Sequence, residues 1–159
     1  MITLQGVGCL TFTQDVPDMG KGYITVPDTL YFDSDEGVPY FAIKDKSGNP
    51  VADVFAGESI EVYSQEFKTE TGIHPGMQLH AAAKIAGEEN IHIWLGWPND
   101  YFTIENTVSG LAWKVYGDQL IGGNDKFQEI SMHGTVVTLA DFSPDATIAS
   151  IAVFYGGAE

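Results

Sequence analysis

Short runs of Val, Ile, Thr, Tyr and Phe recur along this chain, and Gly, Pro, Asn and Asp break them every few residues. That spacing is the mark of strands joined by turns. β-Branched and aromatic side chains suit a pleated, half-buried surface, and the breaking residues supply the dihedral angles that reverse the chain. The candidate strands are residues 2–13, 22–26, 38–44, 51–56, 59–67, 91–96, 101–106, 111–116, 127–133, 135–140 and 147–155. The expected fold class is therefore mostly β (α+β): an antiparallel, strongly curved sheet forming a sandwich or partly open barrel, with one short helix near residues 76–86 packed against it.

Local signals anchor two parts of this reading. Between the runs 41–44 and 51–56 stands Asp45-Lys46-Ser47-Gly48-Asn49-Pro50. Asp45 suits the start of a turn, Gly48 supplies a positive φ, and Pro50 cannot donate to a strand ladder, so the second strand starts after it or lies at an edge. The helix is placed by Leu79, Ala82, Ala83 and Ala86, which fall on one face, with Pro75 before and Gly87 after. Around it, Gly72-Ile73-His74-Pro75-Gly76-Met77-Gln78-Leu79, followed by alanines and a glycine, resembles the turn-into-helix segment of small bacterial outer-membrane assembly lipoproteins of the SmpA/OmlA type. The likeness is confined to that segment, the rest of the chain departs from that family, and no function is carried over from it.

At 159 residues, with no linker, repeat or low-complexity tract, the chain reads as a single domain, residues 1–159. Its net charge of −15 comes from 22 acidic residues against seven basic ones, all of them lysine. Arginine supplies the planar fork that grips phosphates and guanine edges. A chain without arginine and with a strong negative field is a poor match for nucleic acid or an anionic membrane. The partners it fits are a cationic or aromatic small molecule, or a basic protein.

Cys9 is the one cysteine, which excludes an intrachain disulfide. Its place in the apolar run 2–12 predicts a small core side chain. Gly6-Val7-Gly8-Cys9 has the outline of a lipoprotein cleavage box, but no basic stretch and no adequate hydrophobic stretch precede it. No run approaches the ~18 apolar residues of a membrane-spanning helix. The expectation is a soluble, cytoplasmic protein.

Several chemistries are absent. There is no phosphate loop, HExxH, paired CxxC or GxSxG elbow, and Gly6-Val7-Gly8 lacks the third glycine and the helix of a dinucleotide fingerprint. Asp33-Ser34-Asp35-Glu36-Gly37 begins like a calcium loop, yet Gly37 stands where an oxygen ligand is needed and Lys44 where the closing glutamate belongs. His74, His80, His92 and His133 are too dispersed to suggest zinc; His80 is expected on the polar side of the helix, and His92 and His133 in strands. No metal and no cofactor is expected.

The densest unusual stretch is 92–116, which holds Trp94, Trp97, Trp113, Tyr101, Phe102 and Tyr116. Alternation sends Ile91, Ile93 and Leu95 to one face and His92 and Trp94 to the other. Trp113 shares its face with Leu111 and Val115 and reads as core, whereas Tyr116 shares the other with Lys114. An aromatic sheet face near carboxylates suits a cationic or sugar-like ligand. The candidate ligand-binding residues are His92, Trp94, Trp97, Tyr101, Glu105 and Tyr116. The preferred function is a non-catalytic small-molecule-binding or interaction module with an aromatic-lined acidic pocket. The alternatives are a small hydrolase or isomerase using a carboxylate–histidine pair drawn from Glu105, Asp100 and His92, and a partner-binding subunit of a homo-oligomer such as a homodimer.

Overall fold

The computed structural model describes residues 1–3, 6–12, 16–31, 37–96 and 100–155. Residues 33–36 of the calcium-like run and Trp97 lie outside them. Among the described residues, ten strands and two α-helices follow one another: β1 (Ile2–Thr3), β2 (Gly6–Val7), β3 (Tyr23–Tyr31), β4 (Gly37–Asp45), β5 (Pro50–Phe55), β6 (Ser59–Val62), α1 (Leu79–Ala86), β7 (Ile91–Leu95), β8 (Tyr101–Asn106), β9 (Leu111–Tyr116), α2 (Gly123–His133) and β10 (Ser150–Phe154). β1 and β2 form a small hairpin. The other eight make one antiparallel sheet in the order β3-β4-β5-β6-β10-β9-β8-β7. Its end strands do not pair with each other, so the sheet is open.

The order explains how the sheet is assembled. β3 to β6 form one meander and β7 to β9 another. The last strand, β10, enters between them and pairs with β6 on one side and β9 on the other. The two halves of the sheet therefore meet only across β10, whose Ile151 and Val153 are completely buried.

Register divides the sheet into two unlike faces. One row runs Ile43, Ala52, Val62, Ile151, Trp113, Ile104, Ile93 across seven strands. All but Ile93 are buried, Trp113 among them as alternation predicts. Onto this face fold the N-terminal hairpin, α1, α2 and the connection before β10, whose Ile2, Leu10, Leu79, Phe127, Phe142 and Ile148 join the same core cluster. Phe102 of β8 meets both Phe127 and Phe142 edge-on at 5.3 Å. The neighbouring row on the other face runs Ala42, Asp53, Glu61, Ala152, Ala112, Glu105, His92. Most of that face is half-buried or exposed.

The turn after β4 forms as its residues require: Asp45 Oδ1 accepts from the Ser47 and Asn49 amides, and Gly48 takes φ +85°. α1 starts later than expected, at Leu79, and buries Leu79, Ala82 and Ala83. His80 is half-buried, its Nε2 3.4 Å from the Phe142 carbonyl.

Four expectations are corrected. There is a second helix, α2, where residues 127–133 read as a strand, and His133 lies in its last turn. Only Phe127 and Ile130, three apart, are buried on it, and Gly134, at φ +64°, closes it by donating to the Ile130 carbonyl. One narrow apolar stripe on a polar segment is a helix pattern, and its aromatic and β-branched residues hid it. Residues 135–138 belong to no strand and lead into a 3₁₀ turn, Leu139–Asp141. The run 2–13 is two short strands and not one long strand. Cys9 is exposed, because the hairpin between Val7 and Leu10 turns it outward, and its Sγ donates to the Asp18 carbonyl at 3.3 Å.

Candidate functional site

Along the open face, bulky polar and aromatic side chains surround two small ones. Ala112 of β9 and Ala152 of β10 stand directly opposite each other and end at Cβ. The side chains around them rise higher, leaving a hollow of about 140 Å³ bounded by Ser59, Glu61, Tyr101, Thr103, Lys114 and Phe154. Small residues at the floor and long ones at the rim make a concavity without any break in the sheet.

Lys114 organises the hollow. Its Nζ lies 4.1 Å from the centre of the Tyr101 ring, 5.6 Å from that of Tyr116, and 3.7 Å from Glu61 Oε1. An ammonium over an aromatic face is held by the ring quadrupole, and the carboxylate adds a charge partner. Glu61 Oε1 also accepts from the Ser150 hydroxyl in a short hydrogen bond. Both partners of the ion pair are about three-quarters covered, with side chains 25 % and 22 % exposed, so water screens it less than a surface pair. Tyr101 is held from below by Gly96, whose amide donates to the Tyr101 carbonyl at 2.9 Å. A Cβ on Gly96 would run into the Tyr101 ring.

Beside Glu61, on the next strand, stands Asp53. Tyr63 donates its hydroxyl to Asp53 Oδ2 at 2.8 Å. Burial, and then the facing Glu61 charge, push the Asp53 carboxyl above its ordinary pKa, against the lowering effect of the Tyr63 hydrogen bond. Burial and the two carboxylates push the Tyr63 phenol upward as well, which keeps it a donor. Farther along the same face, Tyr40 stacks on Phe55 at 5.2 Å and donates to Asp28.

The structure distributes the sequence-derived candidates as follows. His92, Trp94, Tyr101, Glu105 and Tyr116 all lie on the open face, and Trp97 lies outside the described residues. Tyr101 lines the hollow, and Tyr116 is its cross-strand partner. His92 faces Glu105 across β7 and β8, at the outer edge of the sheet, and Trp94 faces Thr103. Asp100 is exposed in the turn before β8, away from that pair. Sequence reasoning missed Asp53, Glu61, Tyr63, Ser150 and Phe154, which reach the site from strands far apart in the chain. Their signal was available as the polar phase of alternation in 51–56 and 59–63. Among the described residues no group of three or more His, Cys, Asp or Glu side chains is placed to hold a metal, and no helix is long and apolar enough to cross a membrane.

The fold and face define a class: an open antiparallel sheet, layered with helices on one side and carrying a polar, aromatic hollow on the other. The crystal structure of the uncharacterised protein yfeY from Escherichia coli is similar to it, with a TM-score of 0.60 at 14 % identity over 96 % of this chain and 98 % of that one. At that identity the likeness shows a shared fold. No family model matches the sequence, and no curated protein matches it.

Proposed function

We propose that this chain is a non-catalytic binding module that holds a small cationic ligand in the hollow on the open face of its sheet. One observation carries the reading. The Lys114 ammonium already sits between an aromatic face and a carboxylate, 4.1 Å from the Tyr101 ring centre and 3.7 Å from Glu61, in the arrangement that an organic ammonium ion would adopt. The hollow thus has the chemistry of a cation cradle, and the chain's own lysine stands in for the ligand. The net charge of −15 supports the same class of partner, because it draws cations toward the surface.

The test uses phenethylamine as probe. It should quench tryptophan fluorescence saturably, through Trp94 on the same face, and raise the melting temperature. Glu61→Gln should weaken binding about tenfold, in line with ~1–2 kcal/mol for a partly desolvated cation contact. Lys114→Met keeps the apolar stem but removes the internal competitor, so it should tighten binding. Absence of saturable binding by any primary or quaternary amine in a panel would overturn the reading.

One observation favours a second reading, a hydrolase or isomerase using a carboxylate–histidine pair. The register sets His92 opposite Glu105, with Cβ atoms about 5 Å apart as in any such cross-strand pair. Ester or amide turnover with a bell-shaped pH profile, abolished by His92→Gln, would support it; a flat profile across a substrate panel would end it.

A further inference from the structure

We infer that the opposite side of the sheet contains a second ligand site: a small cavity that takes a largely apolar molecule bearing a single hydrogen-bond acceptor, of the ketone class. The cavity, about 210 Å³, lies between the end of α1, the β8–β9 turn and residues 69–73, with Ile73, Ile85, Ala86, Leu111 and Trp113 as its apolar walls. An apolar cavity of about 150 Å³ is enough for benzene, so this one has room for a ring with a short substituent.

Asn106 supplies the polar group. It ends β8 on the core-facing phase of the strand, is only 6 % exposed, and lines the cavity. Its Oδ1 accepts from the backbone amides of Val108 and Ser109, at 3.0 and 3.1 Å. Those two donors fix the orientation of the side-chain amide, because the reversed amide would set NH₂ against two N–H groups. The Nδ2 group, with two protons to donate, has no hydrogen-bond partner among the described residues. No described side-chain atom is both fully enclosed and unpartnered, so Nδ2 borders accessible space, and Asn106 is one of the residues that line this cavity. A ligand oxygen placed there takes the place of the water that Nδ2 otherwise meets and orients a molecule that is apolar elsewhere. The rest of the lining is mostly hydrocarbon, which favours a molecule with little other polarity. The neighbouring hydroxyls are already engaged: Thr69 Oγ1 with Thr71 Oγ1 and the Ile73 amide, and Ser109 Oγ with the Leu111 amide.

The site is independent of the cation cradle, and its test does not use amines. The probes are acetophenone and α-methylstyrene, which share a shape but differ in C=O against C=CH₂. Acetophenone should bind saturably, at least tenfold more tightly than α-methylstyrene, and shift the Asn106 side-chain amide protons in NMR spectra. Ala86→Leu fills the cavity while keeping Asn106 itself and should abolish binding while the fold is retained, as judged by an amide spectrum unchanged away from the cavity. Equal affinity for the two probes would overturn the role of Asn106. The lack of saturable binding by either probe, or undiminished binding to Ala86→Leu, would overturn the site.

Discussion

Adjacent residues on β10 show how differently the two faces of this sheet are used. Ile151 points into the layered side, meets Val62 and Trp113 across the neighbouring strands, and is completely buried. Ala152 points the other way, between Glu61 and Ala112, and forms the floor of an open hollow. Every element outside the sheet contributes its buried side chains to the first face. The second face carries half-buried carboxylates, a lysine and aromatic rings around a hollow floored by two alanines. One side holds the molecule together, and the other is left open.

Substitution across the two faces should expose that division. Ile151→Ala removes core side chain from the strand that joins the two halves of the sheet, and is expected to cost about 2–5 kcal/mol in urea denaturation. Ala152→Ser, one residue away, should change stability by no more than about 0.5 kcal/mol. Comparable losses from both would break the comparison. Gly117→Ala sharpens it on the layered side. A Cβ there would strike the Phe127 ring, so α2 must shift, at about 1–3 kcal/mol. Gly96→Ala is its counterpart on the open side: the new Cβ displaces the Tyr101 ring, and amine binding should fall more than stability does.

A smaller effect comes from Asp53. Its carboxyl is harder to ionise in the folded chain than in the unfolded one, so its ionisation costs stability as pH rises through the raised folded pKa. Asp53→Asn keeps an acceptor for Tyr63 and removes the charge facing Glu61. It should therefore stabilise by about 0.2–1 kcal/mol at pH 7, the range for like charges opposed across strands. The gain should vanish below the unfolded pKa of aspartate. Asp141 has the opposite sign. Hydrogen bonds from the Thr138 amide and hydroxyl hold its carboxyl below the usual range, so its contribution is present above the unfolded pKa and is lost as pH falls through the folded one. Asp141→Ala should cost about 0.5 kcal/mol at pH 7 and nothing in strong acid, measured by thermal melts across pH.

The sequence made the sheet legible because alternation is local. Each strand from 38–44 to 111–116 states which of its residues face inward, and Trp113 could be separated from Trp94 on that ground alone. The helix at 123–133 was not legible, since Phe127 and Ile130 are its only buried residues and their β-type character matched a shorter strand over 127–133. The position of β10 was equally hidden. Nothing in residues 150–154 says that this strand enters between two meanders, and without that placement Glu61, Ser150 and Lys114 could not be brought together. The site was half visible for the same reason: Tyr101 and Tyr116 belong to a local aromatic cluster, whereas their charged partners arrive by tertiary pairing.

The account is tested most directly by mapping amide and side-chain NMR shifts during a phenethylamine titration. The prediction is a contiguous set of perturbations on the open face, centred on Glu61, Tyr101, Thr103 and Lys114, with the core residues Ile43, Leu79 and Phe142 unmoved. Saturable shifts that centre on the layered face, or shifts scattered over the surface without saturation, would contradict it.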